Sequence, residues 1–189
     1  YKRSKSLLDP FCSNSSIVIE AALNSKNIPN LYNKENIKIP KNVQNSVSKK
    51  IKNKIKLSIY GFDSRYSNIK KARINAKLAS VSENIEFQNY DLEWLDTKFD
   101  KSKIDLIITN PPVISKKNIH ETYSIYKQLF YQASYILKKS GLIVIVSTKS
   151  EYIMKAASEY GFELKEKRKV LIGNQNYEIL KLKCNQKKY

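Results

Sequence analysis

The sequence predicts an α/β fold: a doubly wound, mixed sheet of seven strands closed by an antiparallel hairpin. Three observations predict it. Short apolar runs alternate with helix-patterned stretches along the chain, the apolar run in Asp105 to Pro112 (DLIITNPP) halts at an asparagine and two prolines, and the last two strand-like runs are separated only by GNQN. Alternation of strand and helix is the signature of a largely parallel sheet. A parallel strand buried on both faces reads as a continuous apolar run, and proline cannot donate to the ladder, so the central strand ends at Asn110. In open α/β sheets ligands sit beyond the carboxyl ends of the strands, which places Asn110 where chemistry is expected.

The elements follow in order. Ser6 to Phe11 (SLLDPF) is the first strand and Ser16 to Lys26 the first helix, with Ser15 or Ser16 as its N-cap. Residues 27–55 are polar and rich in Asn and Lys, with Pro29 and Pro40 as breakers; they read as an insertion carrying a short helix from Val43. Lys56 to Asp63 is the second strand. The apolar positions Ile69, Ala72, Ala76 and Ala79 mark one face of a helix over Tyr66 to Ala79. Ile85 to Asp91 alternates as a third strand, and a helical turn near Leu92 to Leu95 leads to the central strand. A long helix is expected over Ile119 to Leu137, a fifth strand over Gly141 to Thr148 and a helix over Glu151 to Tyr160. The closing strands are Glu163 to Ile172 and Tyr177 to Cys184.

At 189 residues, 41% hydrophobic and 28% charged, the chain is expected to fold as one domain with a substantial core. No apolar run approaches the ~20 residues of a membrane helix and no signal peptide opens the chain, so a cytoplasmic location without membrane contact is expected. Met154 is the one methionine, so Tyr1 is not a natural start and the chain reads as a fragment of something longer. Cys12 and Cys184 form no CxxC pair, which points to reduced thiols and no metal site. The net charge of +18 suggests a polyanionic partner, since clustered lysines neutralise phosphates and release counterions. Only Arg3, Arg65, Arg73 and Arg168 are arginine, and the joint excess of Lys, Asn, Ile and Tyr is also the mark of a compositional bias that leaves many lysines as solvated surface.

Asp9, Asp63 and Asp91 each stand at the end of a predicted strand, as Asn110 does. Parallel strands place their carboxyl ends on one edge, so these four side chains should converge on one crevice. An ionised aspartate is purely an acceptor, suited to ribose hydroxyls after the second strand and to an adenine amino group after the third. Each, taken alone, serves equally well as a helix N-cap or turn residue.

Three stretches carry a resemblance. DPFCSNSSIVIEAA (9–22) is similar to the first motif, DPFCGSGTIxIEAA, of the THUMP-linked RNA guanine-N2 methyltransferases. YGFDSRYSNIKKARINAKLASV (60–81) resembles their GxDxxxxxxxxAxxNAxxAGV stretch, and DLIITNPP (105–112) their NPPY motif. Order and spacing agree from Ser6 to at least Thr148. The resemblance implies a Rossmann-like class I fold, S-adenosylmethionine as cofactor, and methylation of an exocyclic amino group in RNA, with tRNA the foremost substrate and rRNA the next. An RNA-binding THUMP region and a leading helix would precede residue 1.

Carried over by position, the resemblance assigns Asp9, Pro10, Phe11 and Ser13 to the methionine part of the cofactor, Asp63 to its ribose and Asp91 to its adenine, with Ser64, Leu92 and Asn110 also beside the cofactor. Asn110, Pro111 and Pro112 would handle the target. A guanine or adenine amino nitrogen is conjugated into its ring and is a poor nucleophile; an Asn oxygen and a backbone carbonyl accepting its hydrogens would aim it and favour positive charge on it. The proton becomes acidic only after methylation, so no general base is assigned, and His120 is expected at the surface.

Two departures matter. Val113 replaces the aromatic of NPPY, which leaves Tyr123 or Tyr126 as candidate stacking rings or as plain helix contacts. Ser13 and Ser15 replace both glycines of the first turn, where a Cβ costs roughly 1–2 kcal/mol in left-handed geometry; Asn14, which tolerates that geometry, is expected to reshape the turn. Alternative readings are an N6-adenine methyltransferase acting on DNA or RNA, and a degenerate methyltransferase fold kept as an RNA-binding module. The sequence leaves oligomeric state open.

Overall fold

The computed structural model describes residues 6–28 and 58–185. Its elements are β1 (Ser6–Asp9), α1 (Ser16–Lys26), β2 (Ser58–Asp63), α2 (Tyr66–Leu78), β3 (Ile85–Asn89), α3 (Leu95–Lys98), β4 (Ile104–Thr109), α4 (Ile119–Ile136), β5 (Leu137–Ser147), α5 (Ser150–Glu159), β6 (Phe162–Ile172) and β7 (Gln175–Cys184). Single 3₁₀ turns, Ser82–Asn84 and Leu92–Trp94, precede β3 and α3. The predicted insertion, with its helix from Val43, lies outside the described residues apart from Asn27 and Ile28.

The seven strands form one sheet in the order β3-β2-β1-β4-β5-β7-β6. β3, β2, β1, β4 and β5 are parallel, and β7 joins β5 and β6 antiparallel. The predicted mixed α/β sheet with a closing hairpin is therefore the observed one. The chain winds outward from β1 through β2 to β3, then returns to place β4 on the other side of β1. Connections leaving β1 and β4 diverge there, opening a crevice at the carboxyl edge.

The alternation of side chains across the pleat sorts the core into two layers. Leu7, Ile59, Ile85 and Phe87 join Val18, Ala22, Ile69, Ala72 and Ala76 under α1 and α2. Leu8, Ile107, Ile143, Ile145, Leu180 and Leu182 join Tyr126, Phe130, Ala133, Ile153 and Ala157 under α4 and α5. Gly61 of β2 makes the first layer possible, because a Cβ there would lie 2.8 Å from Phe87 and 3.3 Å from Val18.

Several boundaries differ from expectation. β1 stops at Asp9 and β3 at Asn89, short of the predicted Phe11 and Asp91, because the carboxylate of Asp9 turns back onto the Phe11 N–H and that of Asp91 onto the Glu93 N–H. β5 begins at Leu137, directly from α4, rather than at Gly141. A register shift between Ile104 and Leu106 takes up the extra residues, and Lys138 is tied to Asp105 at 3.0 Å. Among the described residues no helix is long and apolar enough to cross a membrane.

Candidate active site

The loop after β1 is held by carboxylates from two strand ends. Asp9, almost fully buried, accepts from the Phe11 N–H at 3.1 Å and the Thr109 hydroxyl at 2.7 Å. Its bond to Thr109 ties the end of β1 to the end of β4. Burial raises its pKa to about 7, against the opposing Thr109 and Phe11 hydrogen bonds, with the nearby Asp63 adding to the rise. Asp63 accepts from the Ser13 N–H at 3.0 Å through Oδ2, and through Oδ1 from the Arg65 N–H at 2.9 Å and the Asn68 amide at 3.0 Å. An ionised carboxylate offers roughly four lone-pair directions, so three donors leave room for one more.

Ser13 and Ser15 themselves adopt left-handed backbone, at φ 45° and 67°, where glycines would be at ease. Asn14 does not take that geometry. Instead its side chain accepts from the Ser16 hydroxyl at 3.0 Å, and its carbonyl is held by the Asn75 amide at 2.9 Å. Ser15 stands at the N-cap position of α1 but makes no side-chain cap. Its hydroxyl turns to the Asn14 carbonyl at 2.6 Å, with the Ala72 carbonyl of α2 at 3.3 Å, instead of to the amides of its own helix. The turn is thus built to the glycine pattern from residues that carry a Cβ.

A cleft of about 520 Å³ opens beside this loop. Pro10, Phe11, Ser64, Asp91 and Leu92, all expected from the sequence, line it. Asp91 caps the 3₁₀ turn through the Glu93 N–H at 3.4 Å, a long bond that leaves most of its exposed carboxylate available. The sequence reasoning missed Tyr90 and Glu93, and missed the whole opposing wall, where α4 contributes Glu121, Ser124, Ile125 and Gln128. The spacing 121, 124, 125, 128 was a visible helix stripe, but its mixture of acidic, polar and apolar residues does not announce a pocket. Asp9, Ser13, Asp63 and the residues 110–112 border the same sheet edge without lining this cleft.

On the β4 side Asn110 is exposed, and among the described residues its carboxamide has no hydrogen-bond partner. Pro111 is buried and Pro112 exposed. The turn is clamped from beneath: the Tyr126 hydroxyl donates to the Pro112 carbonyl at 2.6 Å, Ile114 is buried, and Asn118 accepts from the Ser115 N–H at 2.6 Å. Burial pushes the Tyr126 phenol up, keeping it a donor. Its ring is fully buried, so Tyr126 is a strut of the turn and no stacking platform. Tyr123 is also committed elsewhere, donating to Glu159 of α5 at 2.6 Å with Lys127 and Lys155 over its ring. Val113, at 48% exposure, stands open beside Asn110. His120 is exposed at the start of α4, and the described residues include no cluster able to hold a metal ion.

Residues 1–178 match the family UPF0020, RMKL-like, methyltransferase domain. The chain is similar to a tRNA (guanine(6)-N2)-methyltransferase of Methanocaldococcus jannaschii, 31% identical over 185 residues that cover 92% of this chain and 47% of that protein. It is similar also to the tRNA (guanine(6)-N2)-methyltransferase of Archaeoglobus fulgidus, 29% identical over 191 residues covering 95% and 44%. The chain therefore spans less than half the length of these two relatives. In fold it resembles the crystal structure of SMU.472 complexed with SAH, with a TM-score of 0.80 at 20% identity, over 100% of this chain and 50% of that one. A Rossmann-like sheet wound about a β1/β4 crevice, matched over residues 1–178, makes this chain a member of the UPF0020 family of RMKL-like methyltransferase domains.

Proposed function

We propose that the chain is the catalytic domain of an S-adenosylmethionine-dependent RNA methyltransferase that methylates the exocyclic N2 amino group of a guanosine in tRNA. The observation that carries the proposal is the meeting of Asp9, Asp63, Asp91 and Asn110, whose carboxamide has no partner among the described residues, on one sheet edge. The curated relatives, matched over more than nine-tenths of this chain, carry that activity in their names. In the same reading the domain follows an RNA-binding THUMP region, and residues 27–55 are an insertion within it.

The residues fit the cofactor. Phe11, Tyr90 and Leu92 offer apolar surface beside the carboxylates of Asp91, Glu93 and Glu121, so an adenine could stack there with its amino group facing an acceptor. Asp63 retains one acceptor direction for a ribose hydroxyl, and Asp9 with the Ser13 turn borders the space for the methionine end, as in a fold that in SMU.472 holds SAH. When bound, the cofactor supplies an electrophilic methyl on a sulfonium. The protein's part is positioning. Asn110 accepts one hydrogen of the target amino group, and the backbone carbonyl of Pro111 accepts the other. Those two acceptors keep the nitrogen lone pair toward the methyl and favour the positive charge that develops there. The Tyr126 strut holds the turn in place while this happens.

Incubation with tritiated S-adenosylmethionine and unfractionated tRNA, followed by digestion to nucleosides, tests the reading. N2-methylguanosine is expected. N6-methyladenosine would shift the assignment to adenine chemistry, and RNA binding without label would leave a fold retained only for holding RNA.

A further inference from the structure

The strand register makes the C-terminal hairpin overhang the target side of the crevice. Thr109, the last residue of β4, is level with Ile145 of β5, and Ile145 is level with Leu180 of β7. From that level β7 runs on for Ile179 to Gln175 on the crevice side, paired throughout with β6 up to Ile172. At 3.4 Å per residue this raises the tip about 17 Å beyond the end of β4, and two strand spacings put it about 10 Å to the side. β5 stops at Ser147, opposite Glu178, so the tip stands clear of the sheet.

The tip is built for contact. Leu171 and Ile172 are 69% and 57% exposed, an unusual placement for two consecutive aliphatic residues on a strand. Around them stand Asn174, Gln175 and Asn176, all exposed, whose amides both donate and accept. The cations farther back are tied into the hairpin: Lys167 to Glu178, Arg168 to Glu166 and Lys181 to Glu166, while Ser150 of α5 holds Glu178 from below. Lys169, the cation nearest the tip, is exposed. A base stiffened by ion pairs, an exposed lysine behind the tip and an apolar point fit a nucleic acid whose stacking is to be opened. Charge complementarity favours that partner, since the chain carries +18.

We propose that the β6–β7 tip is a wedge: Leu171 and Ile172 enter the RNA beside the target nucleotide and fill the gap its base leaves on turning into the crevice. This rests on the RNA methyltransferase reading above. Chemistry on a paired base requires its extrusion, and aliphatic wedges at opened base steps are a general device for it.

The test compares the chain with its Leu171→Ser, Ile172→Ser double variant on two substrates, a folded tRNA and an unstructured guanosine-containing oligonucleotide, with SAH affinity measured in parallel. Both side chains are exposed, so the fold should survive; a circular dichroism melt confirms it. On tRNA the variant is expected to lose about tenfold or more in methyl transfer, and on the unpaired RNA less than about threefold, with SAH affinity unchanged. Unchanged transfer on tRNA overturns the wedge, and equal loss on both RNAs overturns it in favour of a general RNA grip. If the unaltered chain transfers methyl to neither RNA while binding SAH, the function itself has been misassigned and the wedge falls with it.

Discussion

The two turns that flank the crevice are built in opposite ways. The turn after β1 is held by carboxylates reaching into its backbone: Asp9 takes the Phe11 N–H and Asp63 the Ser13 N–H, while Ser13 and Ser15 sit in left-handed geometry. The turn after β4 is held from outside by Tyr126, Ile114 and Asn118, and among the described residues its Asn110 carboxamide has no partner. On the cofactor side, then, the groups expected to bind also hold the loop together, and binding and folding are coupled. On the target side the scaffold and the reactive group are separate residues. Substitutions should reveal that contrast directly.

The largest effect is expected at Asn110. Asn110→Ala should cost about 10²–10³-fold in kcat, the usual loss for one preorganised hydrogen-bonding group at a developing charge, with unfolding midpoint and cofactor affinity unaltered. Loss of stability in step with activity would mean that the two turns are not built differently after all.

Asp9 comes next. Its folded pKa of about 7 lies above the ordinary carboxylate value, so the folded state holds the proton more tightly than the unfolded chain does. Stability from this group is fully present below about pH 4 and is lost as pH rises through about 7, a change on the order of a few kcal/mol. Asp9→Asn removes the titration, and the stability gap between the variant and the unaltered chain should widen in the variant's favour across that window in denaturant melts. A gap independent of pH would show that Asp9 is ionised throughout. Bringing a cationic amino group beside Asp9 favours its ionised form, so S-adenosylmethionine affinity should rise with pH over the same range.

Ser13→Gly relieves a left-handed residue that has a Cβ and should raise stability by about 1 kcal/mol, with cofactor affinity raised or unchanged. Ser15→Gly should gain less, because it gives up the hydroxyl's contacts to the Asn14 and Ala72 carbonyls. Tyr126→Phe deletes the bond to the Pro112 carbonyl, a loss of about 1 kcal/mol of stability. Because that bond positions the turn, kcat should fall severalfold while the affinity for SAH stays level; a pure stability loss would reduce Tyr126 to a core residue.

Strand ends were legible because a parallel strand must stop where its apolar run meets an acid or a proline, as at Asp63 and Asn110. The mixed character of the sheet followed from the strand–helix alternation and the closing hairpin, and the shared edge of the four polar ends from the parallel strands; the order of the strands did not, because it depends on packing between elements far apart in the chain. The α4 wall of the cleft was not legible. Glu121, Ser124 and Gln128 have the pattern of a solvated helix face, and only packing shows that this face closes a pocket. Ser15 misled as an expected cap, because capping depends on a φ that its residue type does not announce. The role of Tyr126 was hidden for a similar reason: a buried tyrosine hydroxyl must find a partner, but the sequence does not name the Pro112 carbonyl.

The central claim is that one crevice holds the cofactor on the β1–β3 side and the target at Asn110, through separable residues. Calorimetric titration of the chain with S-adenosylmethionine, alongside Asp63→Ala and Asn110→Ala, tests it most directly. Binding on the order of micromolar that is lost in Asp63→Ala and kept in Asn110→Ala is the predicted result. Equal loss in both variants, or equal retention in both, would contradict the proposed division of the crevice.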